Sequence, residues 1–211
     1  MKNYAIIGAS GLIGNHILNE LLLQSYVHLT VIGRRSLNLN DHRIKEVVVD
    51  FSDASSLISA VKGMDAVFVS VGTTQKKVKG DDKAYRKVDH EVPIAVADAY
   101  AANSIPKLLL VSSVGADSNN SNFYLRLKGE VEDHIEKLPI SYVGIFQPSL
   151  LMGNRNEFRL GEKIAQMIMP LISFLLPMHY RPINAQSVAK SMIREAMKNS
   201  KGVCRYTYRE M

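Results

Sequence analysis

Cysteine occurs once, at Cys204, and tryptophan not at all. A single thiol excludes an internal disulfide framework and suits a reducing compartment, with the cytoplasm as the expected location. Cys204 itself is read as a buried, unreactive thiol near the C-terminus. No uninterrupted apolar run reaches the roughly 20 residues a helix needs to cross a bilayer. The most apolar stretch, 164–178, is broken by Pro170 and Pro177, and reads as a helix on the core or a lid over a pocket, with a dimer surface or membrane contact as alternatives. The apolar residues before Gly8 are too few for a secretory signal, so the mature protein is expected to begin here. His16, His28, His42, His90, His134 and His179 show no metal-ligand spacing, and His90-Glu91 lacks the second histidine of a zinc-protease helix. No metal is expected. Neither Ser112 nor Ser113 stands in a Gly-x-Ser-x-Gly elbow, which leaves a hydrolase with little behind it. Repeats and low-complexity linkers are absent.

What is present is ordinary for one globular domain: 211 residues, 46% apolar and 22% charged. The net charge of +6 raises the question of a nucleic-acid partner, but the basic residues are scattered. Their one concentration, Gln75 to Lys83, contains Asp81 and Asp82 and no aromatic residue. It reads as a solvated loop, with an anion-attracting rim or flap as the alternative, and no nucleic-acid partner is expected.

Gly8, Gly11 and Gly14 stand in Ile6-Ile7-Gly8-Ala9-Ser10-Gly11-Leu12-Ile13-Gly14, after one apolar run and before a helical pattern. Glycines there let a diphosphate approach the backbone of Ser10, Gly11, Leu12 and Ile13 at the positive end of a helix. A strand over Lys2 to Ile7, a helix over Leu12 to Gln24 and a strand over Val27 to Ile32 form a βαβ unit, the setting in which such a turn holds a dinucleotide. At the end of the second strand an acid would suit the 2′-OH of NAD, and arginine the 2′-phosphate of NADP. The chain reads Gly33-Arg34-Arg35. The planar guanidinium fork favours NADP(H), with NAD(H) the lesser expectation.

Further alternation follows: a strand at Glu46 to Val49, a helix at Ala54 to Val61, a strand at Ala66 to Val71, a long helix from Asp82 to Ala102 and a strand at Lys107 to Val111. Then come a helix from Asn122 to Lys137, a strand at Tyr142 to Phe146, helices at Glu157 to Phe174 and Ala185 to Lys198, and a last strand at Cys204 to Tyr208. Near-continuous apolar strands imply a sheet covered on both faces, hence an α/β, doubly wound parallel sheet flanked by helices. Residues 1–211 are read as one domain, with 151–181 as a small substrate-covering segment. Ligands of such sheets lie beyond the carboxyl ends of the strands. Asp50 and Phe51, then Val71, Gly72 and Thr73, then Ser112 and Ser113 follow strands and are candidate cofactor or substrate contacts, as is Pro148. For Asp50 a turn acid is an equal reading.

Tyr124 and Lys128 are four apart and share one face of a helix, directly after the strand that ends in Ser112-Ser113. A phenol titrates near 10 when unperturbed, and an adjacent ammonium favours its phenolate. Tyr124 is therefore the expected acid, Lys128 its electrostatic partner and a holder of the nicotinamide ribose, and Ser113, with Ser112 as alternative, the group orienting a carbonyl oxygen.

With these motifs the chain resembles the short-chain dehydrogenase/reductase superfamily, in its atypical branch of compact NAD(P)H-binding proteins similar to Tat-interacting-protein-type oxidoreductases. The likeness also rests on Val111 to Asp117, Lys128-Gly129-Glu130-Val131-Glu132 and Phe146 to Gly153. It implies the doubly wound fold, dinucleotide binding, and catalytic roles for Ser113, Tyr124 and Lys128. Two departures stand out: the region after Pro148 is too short for a bulky nucleotide-sugar pocket, and no asparagine is assignable to a proton relay. The expectation is an NADPH-dependent reductase of a small carbonyl substrate, with an NADPH-sensing, non-catalytic module as the alternative.

Overall fold

The computed structural model describes residues 1–152 and 181–211. The expected helix at Glu157 to Phe174, nearly all of the 151–181 covering segment, and His179 lie outside the described residues.

Strand β1 (Lys2–Ile7) is followed by α1 (Leu12–Leu22), β2 (Val27–Gly33), β3 (Ile44–Val48), α2 (Ala54–Val61) and β4 (Ala66–Val69). Then come α3 (Asp82–Arg86), a π-helical turn (Lys87–Glu91), α4 (Val92–Ala102), β5 (Lys107–Val111), α5 (Phe123–Ile135) and β6 (Tyr142–Phe146). Two short strands, β7 (Leu151–Met152) and β8 (Ile183–Asn184), pair with each other; α6 (Ala185–Met197) and β9 (Gly202–Tyr206) complete the described chain. The main sheet runs β3-β2-β1-β4-β5-β6-β9, and every neighbouring pair is parallel. This is the doubly wound order in which the chain reverses direction between β1 and β4.

Side chains alternate across a strand, so a sheet covered on both faces needs apolar residues at every position. Tyr4, Ile6, Ala66, Phe68 and Leu109 enter one core, with α1 and α6. Ala5, Ile7, Val67, Val69, Leu108 and Leu110 enter the other, with α2, α4 and α5. Helix α6 shows why its sequence becomes a core helix: Val188, Ala189, Met192, Ile193 and Ala196 fall on one face and are buried. Asn184 caps its start by accepting the Gln186 N–H at 2.8 Å. Burying one large side chain such as Met192 contributes about 1.5–3 kcal/mol.

The expected helix from Asp82 to Ala102 is interrupted. Pro93 has no N–H to donate to the Asp89 carbonyl, and its ring crowds that carbonyl. The backbone widens over Lys87–Glu91, with the Val92 N–H reaching back to Lys87. Strand β4 ends at Val69 rather than Val71, because Ser70 turns to run beneath the glycine loop: its N–H donates to Ile7 and its hydroxyl to the same carbonyl at 3.2 Å. The last strand begins at Gly202 and ends at Tyr206, two residues earlier than expected. Cys204 is half-buried rather than buried, since β9 is an edge strand with one flank uncovered.

Candidate cofactor and active site

Gly8 has φ +92°, a left-handed conformation that favours glycine. A Cβ at Gly8 would stand 2.7 Å from the Ser70 carbonyl oxygen, and one at Gly14 2.1 Å from that of Gly8. The turn is closed by the Gly11 N–H donating to Gly8 at 2.9 Å. Helix α1 then starts from Gly11 with no side-chain cap, so the first-turn N–H groups face the turn with the positive end of the helix dipole. Ile13 puts its side chain into the core, which leaves only its backbone for a ligand. These features fit a diphosphate: a turn whose backbone packs too closely to admit a Cβ at Gly8 or Gly14, beside an uncapped helix start.

The turn forms one wall of an open cleft of about 560 Å³, to which Ser10 and Gly11 contribute. Arg34, Arg35 and Phe51 line one end; Val71, Gly72, Thr73 and Lys77 line the opposite wall. Both arginines are exposed at the rim. Glu46, which sequence reasoning passed over, shapes that rim: it accepts the N–H groups of Leu37 at 2.5 Å and Leu39 at 2.7 Å, and the Ser36 hydroxyl at 2.9 Å. The Leu37 and Leu39 amides hold its carboxyl below the usual range. Asp50, a candidate cofactor contact with a turn acid as the equal reading, accepts from the Ser52 N–H at 2.9 Å and hydroxyl at 2.7 Å. Those bonds keep its carboxyl low and it caps a turn, while Phe51 faces the cleft.

Beyond Thr73, α5 starts at Asn122, whose side chain accepts the Leu125 N–H at 3.1 Å. Tyr124 and Lys128 share a face, with the Lys128 Nζ 5.8 Å from the Tyr124 ring centroid. Lys128 is 4% exposed, and a buried ammonium requires a partner. That partner is Asp89, 3.1 Å from Nζ. Its other oxygen accepts the Thr73 N–H at 2.7 Å. Asp89 thus joins the Tyr124 and Lys128 pair, which does not line the cleft, to a residue that does. Asp89 was missed by sequence reasoning, because Arg86-Lys87-Val88-Asp89-His90-Glu91 reads as an ordinary charged stretch in which nothing singles it out.

The two serines differ. Ser112 is buried and its hydroxyl donates to Glu132, a buried carboxylate that also accepts from Gln147 Nε2 at 3.0 Å and Arg205 Nε at 3.4 Å. That hydroxyl is held within a packing network. Ser113 is half-buried, and among the described residues its hydroxyl makes a single long contact, 3.4 Å to the Val114 carbonyl. Pro148 is buried, and its carbonyl accepts the Val114 N–H at 3.1 Å, pinning the loop after β5 to the end of β6. Among the described residues no three His, Cys, Asp or Glu side chains gather as a metal set.

Comparison with known proteins adds to this geometry. The sequence profile of a family described as NAD(P)H-binding matches residues 8–198. The chain belongs to the NAD(P)H-binding family. Among relatives of this NAD(P)H-binding protein, Protein HTATIP2 of Rattus norvegicus is 35% identical over 169 residues, covering 78% of this chain and 69% of its own. Protein FMP52, mitochondrial, of Candida albicans is 31% identical over 204 residues, covering 93% and 89%. Among solved structures, the enzyme WbmH of Bordetella bronchiseptica in complex with NAD+ superposes with TM-score 0.75 at 18% identity, over 98% of this chain and 76% of that one. MoeE5 in complex with UDP-glucuronic acid and NAD gives 0.74 at 15%, over 96% and 75%. These solved structures share the Rossmann fold with this chain. No helix among the described residues is long and apolar enough to cross a membrane.

Proposed function

We propose that this NAD(P)H-binding protein is an NADPH-dependent reductase of a small carbonyl compound. One observation carries the reading: Tyr124 and Lys128 share a face of α5, and the buried ammonium is joined through Asp89 to Thr73 in the wall of the cleft. The glycine turn would hold the diphosphate, Arg34 and Arg35 the 2′-phosphate, and Lys128 the nicotinamide ribose hydroxyls. NADPH supplies a hydride to the carbonyl carbon when bound. Tyr124 donates its phenolic proton to the carbonyl oxygen, Lys128 favours the phenolate that remains, and Ser113 donates a hydrogen bond that orients that oxygen. A reducing compartment such as the cytoplasm fits a protein with one thiol; the FMP52 relatives are named as mitochondrial.

The test is Tyr124→Phe, assayed for NADPH consumption against a panel of small aldehydes and ketones. Turnover should be lost while NADPH affinity is kept, and unchanged turnover would remove Tyr124 from its assigned role. A second reading, a module that binds NADPH and signals without turnover, is favoured by the same ion pair, because Asp89 offsets the charge of Lys128. It expects selective NADPH binding, no consumption against the panel, and partner binding that changes with NADPH.

A further inference from the structure

Asp89 is 1% exposed, sits on the π-helical turn, and belongs to no motif that sequence reasoning recognised. The two oxygens of its carboxylate serve different donors, one receiving the Lys128 ammonium at 3.1 Å and the other the Thr73 N–H at 2.7 Å. Thr73 is held from its other side as well, its carbonyl accepting the Tyr85 hydroxyl at 3.4 Å. The Tyr85 ring stands edge-on to Tyr124 at 6.4 Å, and Tyr124 in turn lies beside Lys128. The five residues form a closed circuit between the cleft wall and the proposed reaction centre.

We infer that Asp89 is a positioning residue for the nicotinamide half of the cofactor, fixing the Lys128 ammonium and the Thr73 wall relative to each other. The inference rests on the cofactor lying in this cleft, not on turnover. Of the three N–H donors of the ammonium, Asp89 takes one and sets the direction of the other two. It also takes the Thr73 N–H, so Thr73 meets the cofactor as a wall rather than as an amide donor. Asparagine cannot replace it: its one acceptor oxygen serves the ammonium or the Thr73 amide, and its NH2 group then faces another donor.

The experiment titrates wild type, Asp89→Asn, Lys128→Met and the double variant with NADPH and with adenosine 2′,5′-bisphosphate, which lacks the nicotinamide half. A lone buried ammonium disfavours the fold, so the double variant, which carries neither charge, keeps the comparison on folded protein, checked by thermal melting. The expected result is NADPH affinity weakened roughly tenfold or more in each single variant, the fragment bound as by wild type, and the double variant no weaker than the singles. Fluorescence of the reduced nicotinamide at saturation should also change in Asp89→Asn, a signal that a purely structural role leaves alone. Equal loss of both ligands, loss of neither, or additive losses overturns the inference. A wild type that binds neither ligand overturns the cofactor reading instead.

Discussion

At Gly14 a methyl group would lie 2.1 Å from the Gly8 carbonyl oxygen, with backbone rather than a movable side chain as the obstacle. Gly14→Ala should therefore destabilise the fold by about 1–3 kcal/mol and weaken NADPH binding, as read from the urea midpoint and from titration. The three glycines of this turn were legible because they stand between an apolar strand and a helical pattern. Gly129 was not: a Cβ there would meet Asp117 at 2.2 Å, but the loop it touches is brought to α5 only by folding. Arg34 and Arg35 were legible as a pair after β2, and they line the cleft as that reading requires. Replacing both by alanine should weaken NADPH by about tenfold or more while leaving NADH nearly unchanged, because a charged bond to phosphate is lost from one ligand alone. Equal loss for both dinucleotides in parallel calorimetry would transfer the arginines to a general electrostatic role.

The element with most to say is the π-helical turn between α3 and α4. It turns Asp89 into the interior and leaves His90 half-buried beside Arg86 and Glu130. Burial first, then the Arg86 charge, hold the His90 ring below its ordinary value of 6.5. Arg86 donates to Nε2 at 3.2 Å, and among the described residues Nδ1 has no partner. Because the folded ring is the weaker base, the unfolded chain binds more protons as pH falls below 6.5. His90 therefore leaves stability intact above that value and subtracts from it as pH falls toward the folded pKa. Wild type should lose more of its urea midpoint between about pH 7.5 and about pH 5.5 than His90→Gln does; equal losses would exclude His90 as the titrating group. The sequence reading ran one helix through this point because apolar periodicity continues across it. Pro93 was the available sign, and its effect falls four residues earlier, on the Asp89 carbonyl.

Across the whole molecule, the cleft is assembled from residues far apart in the chain. Gly8, Arg34, Phe51 and Thr73 meet only because β1 to β4 lie side by side at one sheet edge. A ligand that binds only the assembled cleft stabilises the fold by mass action, about 2.7 kcal/mol at a hundred times its Kd. For a domain of this size that is a rise in melting temperature of roughly 5–10 °C. Scanning fluorimetry with saturating NADPH should show it, and no shift would mean that the cleft does not hold the dinucleotide.

Local chemistry was sufficient for the strands and for the glycine turn. Near-continuous apolar runs mark the buried strands, period-3.6 patterns the helices, and the glycines a tight turn before a helix, without reference to distant residues. The doubly wound parallel class also followed from the alternation of strands and helices, while the order of the strands was read from the structure. Tertiary structure decided what depends on partners remote in sequence: the pairing of Lys128 with Asp89 and the capture of the Ser112 hydroxyl by Glu132. A side chain's intrinsic chemistry is written at its own position, but a buried charge takes its role from whichever opposite charge the fold places within reach.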